Sequence, residues 1–100
     1  MSWPVVINPL AEQDLSDAWD WYDAQRDGLG DEFLECVEEA LDGLRTMPQM
    51  YGKVFQELRR AHVRRFPYGV FYRIDDQQVT VVAVYHARRD PGAWQQRAEL

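Results

Sequence analysis

Cutting an RNA strand without a metal requires three things of a protein. It needs an acceptor for the proton of the attacking 2′-hydroxyl, a donor for the leaving oxygen, and positive charge on the phosphate between them. Candidates for all three stand in the second half of this chain, in "RRAHVRRFPYGVFYRI" (Arg59 to Ile74) and "VYHARRD" (Val84 to Asp90). His86 is of the type whose ordinary pKa suits proton transfer near neutrality. Arg65, Arg73 and Arg88 carry planar forks of donors that match phosphate or carboxylate. A structural reading stands beside the catalytic one. In it His86 closes a strand end, for instance on Asp90, and the arginines serve solubility and protect a sheet edge. His62 is read as structural.

Other chemistries lack their residues. A single cysteine, Cys36, excludes an internal disulfide and a cysteine-rich metal site, and its place in a helical pattern makes it a small packed side chain. Two histidines without a His-x-x-x-His spacing do not make a zinc site. There is no glycine-rich phosphate loop and no serine nucleophile elbow. No metal and no cofactor are therefore expected.

The charge is divided. Up to Gly52 there are twelve acids and two bases, a balance of −10; from Lys53 onward there are nine bases and five acids, a balance of +4, within a net −6. That asymmetry points to one face for an anionic partner and another for solvent. The chain has 100 residues, 46% of them hydrophobic and 13% aromatic, which is enough for one packed domain over 1–100 and too much for disorder. No apolar run is long enough to span a membrane, and the start "MSWPVVINP" has no basic and apolar leader pattern, so a cytoplasmic protein without a membrane partner is expected.

The elements that must position the candidates follow from periodicity. "WPVVIN" reads as an opening strand. Asn8 and Pro9 start a helix, with Asn8 as cap. Ala11, Leu15, Ala18, Trp19 and Tyr22 then recur on one face as far as Gln25. Gly28 in "RDGLG" suits a left-handed cap that closes this helix. A second helix runs from Gly30 or Asp31 to Thr46 on the stripe Phe33, Leu34, Val37, Leu41 and Leu44, and Pro48 ends it. Beyond that the period is two: "KVFQEL", "RRAHVRRF", "YGVFYRI" and "VTVVAVYHA" read as strands, the last two joined by a two-residue turn at Asp76 and Gln77. Strict alternation then sets Phe71 opposite Val82 and Arg73 opposite Thr80. It gives Arg73, Thr80, Val82, Val84, His86 and Arg88 one open face, which Arg64 or Arg65 can join. Val70, Tyr72, Val81 and Tyr85 take the other face, under the helices. "GAWQQRAEL" is a short terminal helix. The class is α+β: an N-terminal strand, an antiparallel helical hairpin on a curved, mostly antiparallel sheet, and a C-terminal helix.

The segments from Asn8 to Trp94, above all "GLGDEF", "RRFPYGVFYRI" and "HARRDP", resemble the RelE/ParE superfamily of type II toxin–antitoxin modules. The resemblance implies the fold just described. It also implies a growth-inhibiting toxin, neutralised by a cognate antitoxin that orders a flexible segment on it. Two targets are open. RelE-like members cleave messenger RNA on the ribosome without a metal, so the chain would be an endoribonuclease; ParE-like members bind DNA gyrase. Arg88 stands where RNA-cleaving members hold phosphate. However, Gly69 replaces a strand arginine of theirs, Trp94 falls at their late tyrosine, and Lys53 is the only lysine. His86 with Arg64 or Arg65 and Glu57 is the substitute set this chain offers. A non-toxic or degenerate interaction module of the same fold is the alternative.

Overall fold

A computed structural model of the chain describes residues 2–100. A short strand β1 (Val5–Ile7) leads into helix α1 (Pro9–Gln25) and helix α2 (Leu29–Thr46). Strands β2 (Lys53–Phe55), β3 (Leu58–His62), β4 (Tyr68–Asp75) and β5 (Gln78–His86) follow, and then helix α3 (Pro91–Gln95) with a last 3₁₀ turn, Gln96–Glu99. The sheet order is β1-β5-β4-β3-β2, antiparallel except for β1, which lies parallel to β5. Among the described residues no helix is long and apolar enough to cross a membrane.

The helix starts follow local chemistry. The Asn8 side chain accepts the Ala11 N–H at 3.0 Å, and Pro9 occupies the first turn, where its missing N–H costs nothing. Gly28 does take a left-handed conformation, φ +88°, but it caps the start of α2, not the end of α1. Arg26 closes α1 through its N–H to the Tyr22 carbonyl. The tight link works because Asp23 Oδ1 accepts the N–H groups of both Gly28 (3.0 Å) and Gly30 (3.2 Å). Gly30 has a second role. A Cβ there would sit 2.7 Å from the Trp19 indole, so only glycine lets α1 lay that ring across α2.

The helices cover one face of the sheet. Ala11, Ala18 and Tyr22 of α1, and Phe33, Val37, Leu41 and Leu44 of α2, pack on Ala61, Val70, Tyr72, Val79, Val81 and Val84. Tyr22, Phe33, Phe66 and Tyr68 form an aromatic cluster with Phe33 to Phe66 and Tyr68 centroids at 5.3 and 5.0 Å. Leu34, expected in the stripe, is exposed, while Cys36 and Ala40 are buried in its place.

The β4–β5 hairpin turns at Asp76 and Gln77, both at positive φ (46° and 68°), as a two-residue turn whose twist matches the strands. Arg73 lies opposite Thr80 as alternation demands. Beyond that pair the register departs from the expectation. Tyr72 pairs with Val81 and Phe71 with Ala83, so Val82 is an extra residue, a β-bulge. The bulge swaps the faces of everything after it. Ala83 and Tyr85 turn outward with Leu58 and Phe71, and Val84 joins the helix-side core. Tyr85 is therefore not under the helices. The outward residues form a second small core, covered by α3, whose Trp94 stacks on Phe71 with ring centroids 4.2 Å apart.

Candidate functional site

The bulge decides what the candidate residues can do together. Arg73 precedes it and points outward near the hairpin turn. There its Nε donates to Asp75 Oδ2 at 2.8 Å, and Thr80 donates to the same oxygen at 3.2 Å. His86 follows it and falls on the helix side with Val84, edge-on to Tyr68 at 5.3 Å. The expected shared face of Arg73 and His86 does not form. Arg65 is not on a strand either. β3 stops at His62, the Val63 N–H closes a turn onto the Tyr68 carbonyl at 3.0 Å, and Arg65 takes φ +73° inside that turn.

Both turn arginines reach back to α2. Arg64 grips Glu39 through two bonds of 2.9 Å, and Arg65 donates to Glu32 at 3.0 Å. Glu32 also accepts from Arg26 at 2.9 Å. The hydrogen bond from Arg65, reinforced by that from Arg26, holds the Glu32 carboxyl below its ordinary range, and Arg64 does the same to Glu39. These arginines tie the β3–β4 turn to the helices.

His86 has an unexpected partner. The Arg88 backbone N–H donates to its Nδ1 at 3.0 Å, while Asp90, expected as its partner, caps α3 through the Gly92 N–H at 3.0 Å. An occupied Nδ1 places the proton of the neutral ring on Nε2. Nε2–H is then a donor. The neighbouring Tyr68 phenol is pushed up by burial, an effect that Arg89 offsets in part, so it stays protonated at neutral pH.

Of the eleven basic side chains of Lys53 and the arginines, most are engaged. Arg26, Arg45, Lys53, Arg64, Arg65, Arg73 and Arg97 pair with carboxylates, and Arg59 donates to the Gln49 and Tyr51 carbonyls. Among the described residues the side chains of Arg60, Arg88 and Arg89 alone have no polar partner. Arg60 and Arg89 line one cleft of about 210 Å3 at the outer end of the sheet, with His62, Tyr85, His86 and Trp94, and no carboxylate among the described residues lines it. Across the His86 rim a second cleft of about 330 Å3 lies between α1 and β5, walled by Asp14, Asp17, Trp21, Tyr68, His86 and Arg89. Arg60 and His62 were legible as residues of one parity in "RRAHV", but only the pairing of β3 with β4 shows that this parity faces outward.

One functional-looking pair carried no sequence signal at all. Asp14 of α1 and Arg97 of the last turn form an ion pair, 2.6 Å at its shorter contact, with side chains only 9% and 14% exposed. Asp14 also accepts the Val84 N–H at 2.9 Å, and Arg97 donates to the Val82 carbonyl (3.0 Å) and the Tyr85 hydroxyl (2.8 Å). β1 ends at Ile7, opposite Val81. Past that point the edge of β5 would be bare, and these two side chains take over its hydrogen bonding.

An α-helical hairpin on one face of a bulged five-stranded sheet, with a short helix closing the other face, defines the RelE/ParE class of toxin folds. Comparison with known proteins agrees. Residues 5–91 match the family model described as ParE toxin of the type II toxin–antitoxin system parDE. The chain is 29% identical over 83 residues to Toxin ParE2 of Mycobacterium tuberculosis, in two strains, covering 82% of this chain and 79% of that protein. The toxin–antitoxin complex RelBE2 from Mycobacterium tuberculosis superimposes with a TM-score of 0.63 at 27% identity, over 86% of this chain and 92% of that one. The chromosomal ParDE system from P. aeruginosa gives a TM-score of 0.75 at 15% identity, over 84% and 95%, a likeness of fold. This chain belongs to the ParE toxin family and is a toxin of a type II toxin–antitoxin system.

Proposed function

We propose that this toxin acts by binding, with DNA gyrase as its target, and that a cognate antitoxin neutralises it. The observation that carries the reading is the dispersal of the residues an RNA-cleaving site would need. His86, Arg65, Arg73 and Arg88 lie on the helix side, in a clamped turn, near the hairpin turn and in solvent respectively, and the His86 Nδ1 accepts from the Arg88 backbone. Phosphoryl chemistry depends on a base and charge held within hydrogen-bond reach of one phosphate. What the molecule offers instead is a shaped surface with unpaired cations and aromatic floor, which suits recognition of a macromolecule. Family membership and the two toxin–antitoxin systems among the structural neighbours support an antitoxin partner.

The test is the order in which synthesis stops. On induction of the toxin alone in a bacterial host, thymidine incorporation falls before leucine incorporation, and co-expression of its cognate antitoxin restores growth. Leucine incorporation falling first, with fragmented messenger RNA, would return the reading to a ribosomal nuclease.

A further inference from the structure

We infer that the outer-face cleft between Arg60 and Arg89 is the docking site for an acidic, partly apolar segment of a partner protein, a deepening that rests on the binding reading above. Three arginines have no polar partner. They are not scattered. Arg60 and Arg89 line the same cleft, and Arg88 stands exposed beside Arg89. An ordinary solvated surface pairs such groups with nearby acids, as this chain does for seven other bases. Here twelve of the seventeen acids lie in the first 52 residues, and no carboxylate among the described residues lines this cleft.

The Arg60 stem and the Arg89 guanidinium are also held in place before any ligand arrives. The Arg60 stem lies on Gly69, close enough that a Cβ there would meet its Cδ at 2.8 Å. The Arg89 guanidinium sits over the Tyr85 ring, 4.7 Å from its centroid, which leaves its edge donors free for a carboxylate fork. Tyr85 is fixed in turn by the Arg97 hydrogen bond at 2.8 Å. His86, with its proton on Nε2, adds a donor at the rim. The floor is apolar: Phe71, Trp94 and the Tyr85 ring. Charged donors above an aromatic floor match a carboxylate side chain next to an apolar one.

A polynucleotide fits these observations less well. The His86 rim of the cleft adjoins the exposed Asp17 of the neighbouring cleft, and the chain carries a net −6. A string of phosphates would have to pass that carboxylate, whereas a single carboxylate side chain meets only the arginines.

The experiment follows the arginine Nε–Hε signals of the full chain by 15N NMR during titration with three probes. These are the capped peptide acetyl-Glu-Leu-Glu-Leu-amide, its Gln counterpart, and the dinucleotide uridylyl-uridine. The Glu peptide shifts Arg60 and Arg89 saturably and leaves Arg26, Arg45 and Arg64 in place, and the Gln peptide does not. Arg60→Gln and, separately, the exposed Arg89→Gln each weaken binding by about tenfold or more, as loss of a charged hydrogen bond requires. Amide fingerprints of both variants report that the fold is kept. Unmoved Arg60 and Arg89 signals, or a dinucleotide that binds as tightly as the Glu peptide, would overturn the inference. The incorporation experiment is independent of this one. DNA synthesis arrest without peptide binding sinks the cleft alone, and peptide binding with translation arrest sinks the gyrase reading alone.

Discussion

Past the end of β3, Arg64 and Arg65 leave the sheet and close on Glu39 and Glu32 of α2; in the middle of the strand, the Arg60 stem lies over Gly69 and its head meets no carboxylate. The two sets come from one short stretch of sequence and carry the same charge. What separates them is the turn at Arg65 and the face that each parity of β3 presents. The lesson concerns arginine clusters in general. Their density in a sequence says that anions will be met, and only the fold says whether those anions are the protein's own. Here the turn arginines are matched by the protein's own acids on α2, and the strand arginine and its neighbours past β5 are left for a partner.

The most engaged arginine gives the strongest way to break this contrast. Arg97 and Asp14 are both largely buried, and each satisfies backbone groups of β5 as well as its partner. Removing one member leaves a buried charge and an unpaired edge. Asp14→Ala is expected to lower unfolding free energy by about 3–5 kcal/mol, read from urea denaturation of the purified chain. A loss under about 1 kcal/mol would mean the pair is solvated and the last turn is not anchored.

An intermediate effect comes from pH. Tyr72 is fully buried on the helix side, donates to the Pro48 carbonyl at 2.6 Å, and burial pushes its phenol up to about 12 from an ordinary 10. A raised phenol favours the folded state while it stays neutral. That contribution is complete below pH 10 and is lost as pH rises toward 12, roughly 2–3 kcal/mol in all. Tyr22 and Tyr68 shift in the same direction, also through burial. Stability measured by denaturation from pH 9 to 12 should fall steeply in the wild type and less steeply in Tyr72→Phe. Parallel curves would show that Tyr72 is open to solvent.

The smallest effect is the most telling for the comparison. Arg64 and Arg65 pair at the surface, where ion pairs contribute little. Arg64→Gln with Arg65→Gln should leave both the denaturation midpoint and growth inhibition where they were. Lost toxicity in a folded double variant would place the working charge on the wrong side of the sheet.

Much of this was open to reading from residue types alone. Asn8-Pro9 announces α1, Pro48 follows the end of α2, and the break between alternating runs at Asp76-Gln77 gives the hairpin turn, because each is a local backbone preference carried by the residues themselves. The bulge was not legible. "VVAVY" (Val81 to Tyr85) is apolar on both faces, since each is covered by a core, so no polar residue marks the extra Val82. A shift of one residue then moved His86 away from Arg73 and Tyr85 away from the helices. The turn at Arg65 was hidden for a related reason: it takes a positive φ without a glycine to signal it. Asp14 and Arg97 are 83 residues apart, and nothing in the local pattern of either names the other.

Inhibition of gyrase by the purified toxin bears most directly on the account. With relaxed plasmid, ATP and gyrase, increasing amounts of the wild-type chain should stop supercoiling at near-stoichiometric toxin. The Arg64→Gln/Arg65→Gln variant should do so equally well, and the Arg60→Gln/Arg89→Gln variant only at about tenfold or greater excess. Full supercoiling at every ratio of wild-type toxin, with ribosome-bound messenger RNA cut by the same preparation and spared by His86→Ala, would contradict it.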